Sequence, residues 1–315
     1  MSTADRSEPR RELKVAAAQF APVYHDLPGA TGRAVEIIAD AGSKDVQLLV
    51  FPETWLCGYP YWASLQISSP EFAACRRAFQ RSAVKIPGPE INALCDAAKE
   101  HGVALVIGAN ESGAGSVYNT QVFIDARGEL QGSHRKLVPT ATERLVHGRG
   151  DGSDLLAHDM AGARVSGLIC FEHQMAPARF LLNNHSVEVH AAIWPGHRFL
   201  DPVIDASCRH LAHENACFVV VAREVMGKSR LPPHFPDPGG AAARWEMRGG
   251  SSIIGPDGAY VVEPVFEEET LICATIDLEG IRDAKWLVDG VGHYARPDVF
   301  QLHWHRSSRR NIVED

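Results

Sequence analysis

At 315 residues, with 45% hydrophobic and 22% charged side chains, the chain has the balance of a globular protein able to bury a core without covalent staples. Its 39 acidic residues outnumber 31 basic ones, and no basic run exceeds the pairs Arg10-Arg11 and Arg309-Arg310, which argues against nucleic acid and anionic membranes as partners. Apolar runs fall well short of the about 20 residues that span a bilayer, the first eleven residues lack the apolar centre of a signal peptide, and seven cysteines without a Cys-x-x-Cys pair suit a reducing cytoplasm.

After a polar tail, 1–11, expected to be disordered, the pattern predicts a strand over 13–20 and a helix over 29–41 carrying Ala34, Val35, Ile37 and Ile38. A strand over 46–51, apolar except for Gln47, follows. It opens into an aromatic-rich loop, 51–67. The next helix, 89–101, has Pro89 in its first turn and Gly102 as its cap, and leads into a strand over 103–108. Strands over 117–125 and 163–169, a helix over 177–184, a strand over 187–194, a helix over 201–215 and a strand over 217–222 continue the alternation. Strands over 250–254 and 260–262 flank the turn Pro256-Asp257-Gly258, and 271–277 forms another. The segment 230–240 holds four prolines and is a candidate lid; 291–315 reads as an extended arm. This alternation predicts an α/β protein with a single domain over 12–290, without separating a doubly wound sheet from a two-sheet sandwich.

Three residues stand where such folds place chemistry, at the ends of apolar strands. Cys170 follows the strand over 163–169, and Glu53 follows the strand over 46–51. Lys136 comes after the strand and turn of 123–132. Singly, each has a bland reading as a buried thiol, a solvated acid or a surface cation. Together they supply the nucleophile, acid/base and positive charge that acyl transfer requires.

The blocks Phe51-Pro52-Glu53-Thr54-Trp55, His134-Arg135-Lys136-Leu137-Val138-Pro139-Thr140 and Cys170-Phe171-Glu172-His173 resemble, in order and spacing, the three signature blocks of the nitrilase superfamily. Further segments are similar to the nitrilase branch itself: Gly58-Tyr59-Pro60-Tyr61-Trp62, Glu143-Arg144, His190-Ala191-Ala192-Ile193-Trp194-Pro195 and Gly292-His293-Tyr294. The resemblance implies a four-layer α-β-β-α sandwich whose protomers pair into dimers or longer spirals through a helical face and the C-terminal arm. It implies hydrolysis of an organic nitrile to a carboxylic acid and ammonia, with no metal or organic cofactor. Cys170 would attack as nucleophile, Glu53 would move protons, Lys136 would supply positive charge, and Glu143 would orient the lysine. Tyr59, Trp62, Phe171, His173 and Trp194 would line the substrate pocket. The resemblance departs at Phe171, where nitrilases usually carry Trp, and at Ala176-Pro177, where the Pro is shifted by one; both bear on pocket shape.

Glu172 is expected to form a structural ion pair. His210 and His213 precede Glu214 in the order His-x-x-His-Glu, which is not that of a zinc protease helix, and His303 with His305 are too few for a metal. The loop Gly148-Arg149-Gly150-Asp151-Gly152-Ser153 lacks the Gly-Lys-Ser/Thr ending of a phosphate loop. An amidase or carbamoylase, a cyanide-hydrolysing enzyme and a catalytically idle subunit are the alternatives, and the intact trio weighs against the last.

Overall fold

The computed structural model describes residues 11–231 and 247–307; the expected tail over 1–11, apart from Arg11, most of the candidate lid and residues 308–315 lie outside them. In chain order the elements are β1 (Glu12–Gln19), α1 (Leu27–Ser43), β2 (Leu48–Val50), α2 (Pro70–Ser82), α3 (Pro89–His101), β3 (Ala104–Ser112), β4 (Val117–Ile124) and β5 (Leu130–Arg135). Then come β6 (His158–Met160), β7 (Ala163–Ile169), α4 (Ala176–Asn184), β8 (Val189–Trp194), α5 (Asp201–Asn215), β9 (Phe218–Arg223) and β10 (Val225–Met226). The last are β11 (Met247–Ile254), β12 (Tyr260–Phe266), β13 (Thr270–Asp277) and α6 (Gly280–Leu287).

These strands build two sheets, in the orders β13-β1-β2-β3-β4-β5 and β10-β11-β9-β8-β7-β6, with β12 added to β11. The period-2 alternation of strand side chains sorts the first sheet into two faces. Val15, Ala17, Leu48, Val50, Ala104 and Val106 pack into one core shared with the second sheet, whereas Ala16, Ala18, Leu49, Leu105 and Ile107 pack against Ala34, Ile38, Leu94 and Ala98 of α1 and α3. Leu181 and Leu182 of α4, with Cys208, Leu211 and Ala212 of α5, cover the far face of the second sheet. The result is the four-layer α-β-β-α sandwich.

Helix α2 is absent from the sequence expectation although its start is legible. Ser69 accepts a hydrogen bond from the Phe72 N–H at 3.0 Å, Pro70 opens the first turn, and Phe72, Cys75 and Phe79 bury one face at helical spacing. The aromatic loop also contains a short 3-10 turn, Tyr61–Ser64.

Candidate active site

The two sheets bring their strand ends together. Strands β1, β2 and β3 run parallel, and β2 delivers Glu53 at its carboxyl end. Gly108 in β3 is needed there, because a Cβ at that position would collide with the carbonyl of Pro52 and crowd the Glu53 backbone. Lys136 immediately follows β5, where its N–H donates to the Asn119 carbonyl of β4 at 2.8 Å. Cys170 comes from the other sheet, directly after β7, with φ 54°. For a residue with a Cβ this left-handed geometry costs on the order of 1–3 kcal/mol, so the surrounding structure must hold it.

The ammonium of Lys136 lies between two carboxylates. Its Nζ donates to Glu53 Oε1 at 2.7 Å and to Glu143 Oε2 at 2.8 Å, and all three side chains are at most 1% exposed. Two acids sharing one cation are pushed apart in proton affinity. Burial raises both, but Lys136 and the Tyr59 hydroxyl, which donates to Glu143 at 2.6 Å, hold Glu143 below the ordinary carboxylate range. Glu53, desolvated and facing the charge of Glu143, is raised to about 7 despite hydrogen bonds from Lys136 and from Asn119 Nδ2 at 2.7 Å. Its Oε2 has no partner among the described residues and is an open proton acceptor. Burial opposes the charge on Lys136, yet the two carboxylates, Glu53 and Glu143, keep it protonated. The Cys170 thiol is raised by burial and by Glu53, with Lys136 and the Phe171 N–H acting the other way, so the resting sulfur is neutral.

A cavity of about 560 Å³ opens onto this group. Cys170 and Glu143 reach its wall, with Tyr59, Tyr61, Phe171, His197 and Phe199 as its aromatic surface; Glu53 and Lys136 are buried behind. Of the residues expected to line the pocket, Tyr59 and Phe171 do so. The other three do not. Trp62 is fully buried against Phe72 and Phe79, while Trp194 packs between Phe171 and the His173 ring, stacked at 5.0 Å. The physical reason is common to them: an aromatic side chain next to the chemistry in sequence can turn its ring into the core instead of the cavity.

Glu172 accepts from the backbone N–H groups of Ile169 and Leu137 at 2.8 and 2.7 Å and pairs with His134 at 3.0 Å. Burial disfavours the His134 charge, but Glu172 and Asp154 outweigh it and raise the imidazole to about 10. The pair ties the cysteine turn to the lysine segment. His210 faces Glu214 on α5, and no cluster of metal-ligating side chains occurs among the described residues.

Sequence reasoning missed Asn119, His147, His197 and Glu224. Asn119 had a signal: Asn119-Thr120-Gln121 is a run of three buried polar residues inside an otherwise apolar strand. His147 Nε2 pairs with Asn110 at 3.0 Å and its Nδ1 lies 4.0 Å from Glu143; burial lowers it to about 4, so it faces the acid as a neutral ring. Glu224, at the end of β9, accepts from the Tyr61 hydroxyl at 2.6 Å and is raised to about 8 by burial.

A cysteine, two carboxylates and a lysine gathered at the facing ends of a four-layer sandwich define a hydrolase acting on carbon–nitrogen bonds. The family model for carbon-nitrogen hydrolases matches residues 14–285, and the chain belongs to that family. It is 40% identical over 305 residues to a "Nitrilase 2" from an unknown prokaryotic organism, covering 96% of this chain and 95% of that one. It is 36% identical over 307 residues to an aliphatic nitrilase of Rhodococcus rhodochrous, covering 93% and 83%. Within the family it is a member of the nitrilase branch. The NitFhit protein of C. elegans shares the fold, with a TM-score of 0.74 at 17% identity over 95% of this chain and 69% of that one.

Proposed function

We propose that this chain hydrolyses an organic nitrile to the carboxylic acid and ammonia through a covalent intermediate on Cys170. The observation that carries the reading is the division of labour between two buried carboxylates: Glu143 anchors Lys136, and Glu53 remains free to gain and lose a proton near neutrality. The curated nitrilases named above support the substrate class.

Because the resting thiol is neutral, Glu53 removes its proton as the carbon–sulfur bond forms, and the proton passes to the nitrile nitrogen to give a thioimidate. Lys136 and the Phe171 N–H stabilise the negative charge that develops. Water, deprotonated by Glu53, adds to the thioimidate carbon. Ammonia leaves the tetrahedral adduct, a second water cleaves the thioester, and the acid is released with the thiol restored. Expulsion of sulfur instead of ammonia would yield amide. A barrier difference of about 1.4 kcal/mol sets a tenfold ratio between the two exits, so a minor, substrate-dependent amide fraction is expected.

The test is a panel of nitriles and their amides, with ammonia, acid and amide quantified. Acid and stoichiometric ammonia from nitriles are expected. Turnover of amides alone would establish an amidase, and amide as the main product throughout would establish a hydratase. On the best substrate kcat/KM should rise with pH as Glu53 ionises, with a midpoint near 7. A profile flat through that region would remove Glu53 as the base.

Self-association belongs to the same reading. Trp286 and Leu287 at the end of α6, with Tyr294 and Phe300 on the following arm, are largely exposed, and Trp304 anchors the arm by donating to the Gly152 carbonyl at 2.8 Å. Truncation before Gly292 should reduce the particle size in a sizing measurement and lower activity with it; an unchanged size would exclude the arm. Seven unpaired thiols support a reducing compartment such as the cytoplasm. No helix among the described residues is long and apolar enough to cross a membrane.

A further inference from the structure

Behind the nucleophile runs a chain of hydrogen bonds that the catalytic scheme leaves unused. His173 Nδ1 lies 2.6 Å from the Cys170 carbonyl oxygen, His173 Nε2 lies 3.1 Å from His190 Nε2, and His190 Nδ1 lies 2.9 Å from Ser166 Oγ. Ser166 and His190 are paired residues of the parallel strands β7 and β8, and all three side chains are at most 1% exposed.

The chain has a fixed direction. A carbonyl only accepts, so His173 Nδ1 carries the proton. Burial keeps both imidazoles neutral: His173 is lowered to about 4 and His190 well below its ordinary value. The charged groups facing His173 are Glu172, which opposes this shift, and Arg179 and Lys136, which add to it; His190 faces His173. A neutral His173 with a protonated Nδ1 has a bare Nε2, so His190 Nε2 must be the donor. His190 Nδ1 is then bare, and the Ser166 hydroxyl donates to it. The stacked ring of Trp194 holds the His173 plane.

The end of this chain is the peptide group that leaves Cys170. Its carbonyl and the Phe171 N–H belong to one planar trans unit and point in opposite directions. Turning the oxygen toward His173 therefore turns the N–H the other way, toward the sulfur to which it hydrogen-bonds. The contact restrains ψ of Cys170, the residue whose φ is left-handed.

We propose that His190 and Ser166 are positioning residues which, through His173, orient the Cys170–Phe171 peptide so that its N–H meets the sulfur and the charge formed during addition. The proposal rests on Cys170 being the nucleophile. Neither His190 nor Ser166 lines the cavity.

The test is alkylation of Cys170 by iodoacetamide, followed by peptide mass across a pH series, alongside kcat and KM on the best nitrile. His190→Leu keeps the bulk and removes both nitrogens. It should slow alkylation at neutral pH about tenfold, move the alkylation profile to higher pH, and lower kcat about tenfold with KM within about twofold. His190→Gln offers an amide N–H to His173 and an oxygen to Ser166, and should stay within about threefold of the parent. Ser166→Ala should shift the profile in the same direction by a smaller amount, and it decides the matter if the leucine variant does not fold. An alkylation profile unchanged in His190→Leu or, failing that variant, in Ser166→Ala would overturn the proposal. So would a glutamine variant as impaired as the leucine one. A parent enzyme that keeps full nitrile turnover after alkylation of Cys170 would instead refute the nucleophile assignment, leaving the profile comparison readable.

Discussion

Cys170→Ala should lower kcat by about 10⁴-fold or more, since Cys170 is the one thiol among the described residues that reaches the cavity wall. The melting temperature should move by only a few degrees, because the substitution deletes one buried sulfur and keeps the backbone, the Glu53–Lys136–Glu143 cluster and the His173 contact. The other thiols are no substitute. Cys57, Cys208 and Cys217 are each pushed up to about 12 by burial and none lines the cavity. A trapped acyl adduct in the parent protein should map to Cys170 by mass. Residual turnover within tenfold of the parent, or a label on another cysteine, would end the covalent mechanism proposed above.

Lys136→Met should be damaging in a different way. The ammonium is the one cation between Glu53 and Glu143, so its removal leaves two buried carboxylates facing each other. Breaking a buried pair by removing one partner costs about 3–5 kcal/mol. For a chain of this size that corresponds to a fall in melting temperature of about 10 °C. The pH dependence gives the sign. In the parent, Glu143 has a depressed pKa, so its contribution is present above the unfolded value near 4.5 and is lost as pH falls through the folded value. In the variant the acids fold best protonated, so the stability gap between the two proteins should narrow on acidification from neutrality. Activity should be absent throughout. A variant as stable as the parent at neutral pH, measured by thermal melting, would contradict the picture of a shared cation.

The reacting groups were legible because each sits in a short contiguous block at the end of a strand. Cys170, Glu53 and Lys136 needed only their own neighbours in sequence to be noticed. Their supports did not have that advantage. Asn119 reaches Glu53 from 66 positions away and Tyr61 meets Glu224 across 163, so no local pattern announces either pair. Local blocks also fail to say which way a ring turns: Trp194 is buried in the core while the next residue, Pro195, lines the cavity. Most helices and strands were readable within a few residues, and α5 and β7 match the expectation at both ends. The choice between one wound sheet and two facing sheets was not contained in the alternation, since β7, β8 and β9 with their crossover helices suit either. It is decided by long-range pairing, as where β13 returns to β1.

That return of β13 carries a consequence for synthesis. Strand β1 leaves the ribosome long before its antiparallel partner, Thr270–Asp277. The sheet that supplies Glu53 and Lys136 therefore gains its outer strand only after Cys170 has been made, and the sheet that supplies Cys170 has to dock onto it. A translation product that stops before Thr270 would carry the nucleophile, the base and the cation but lack the edge strand of the sheet that holds two of them.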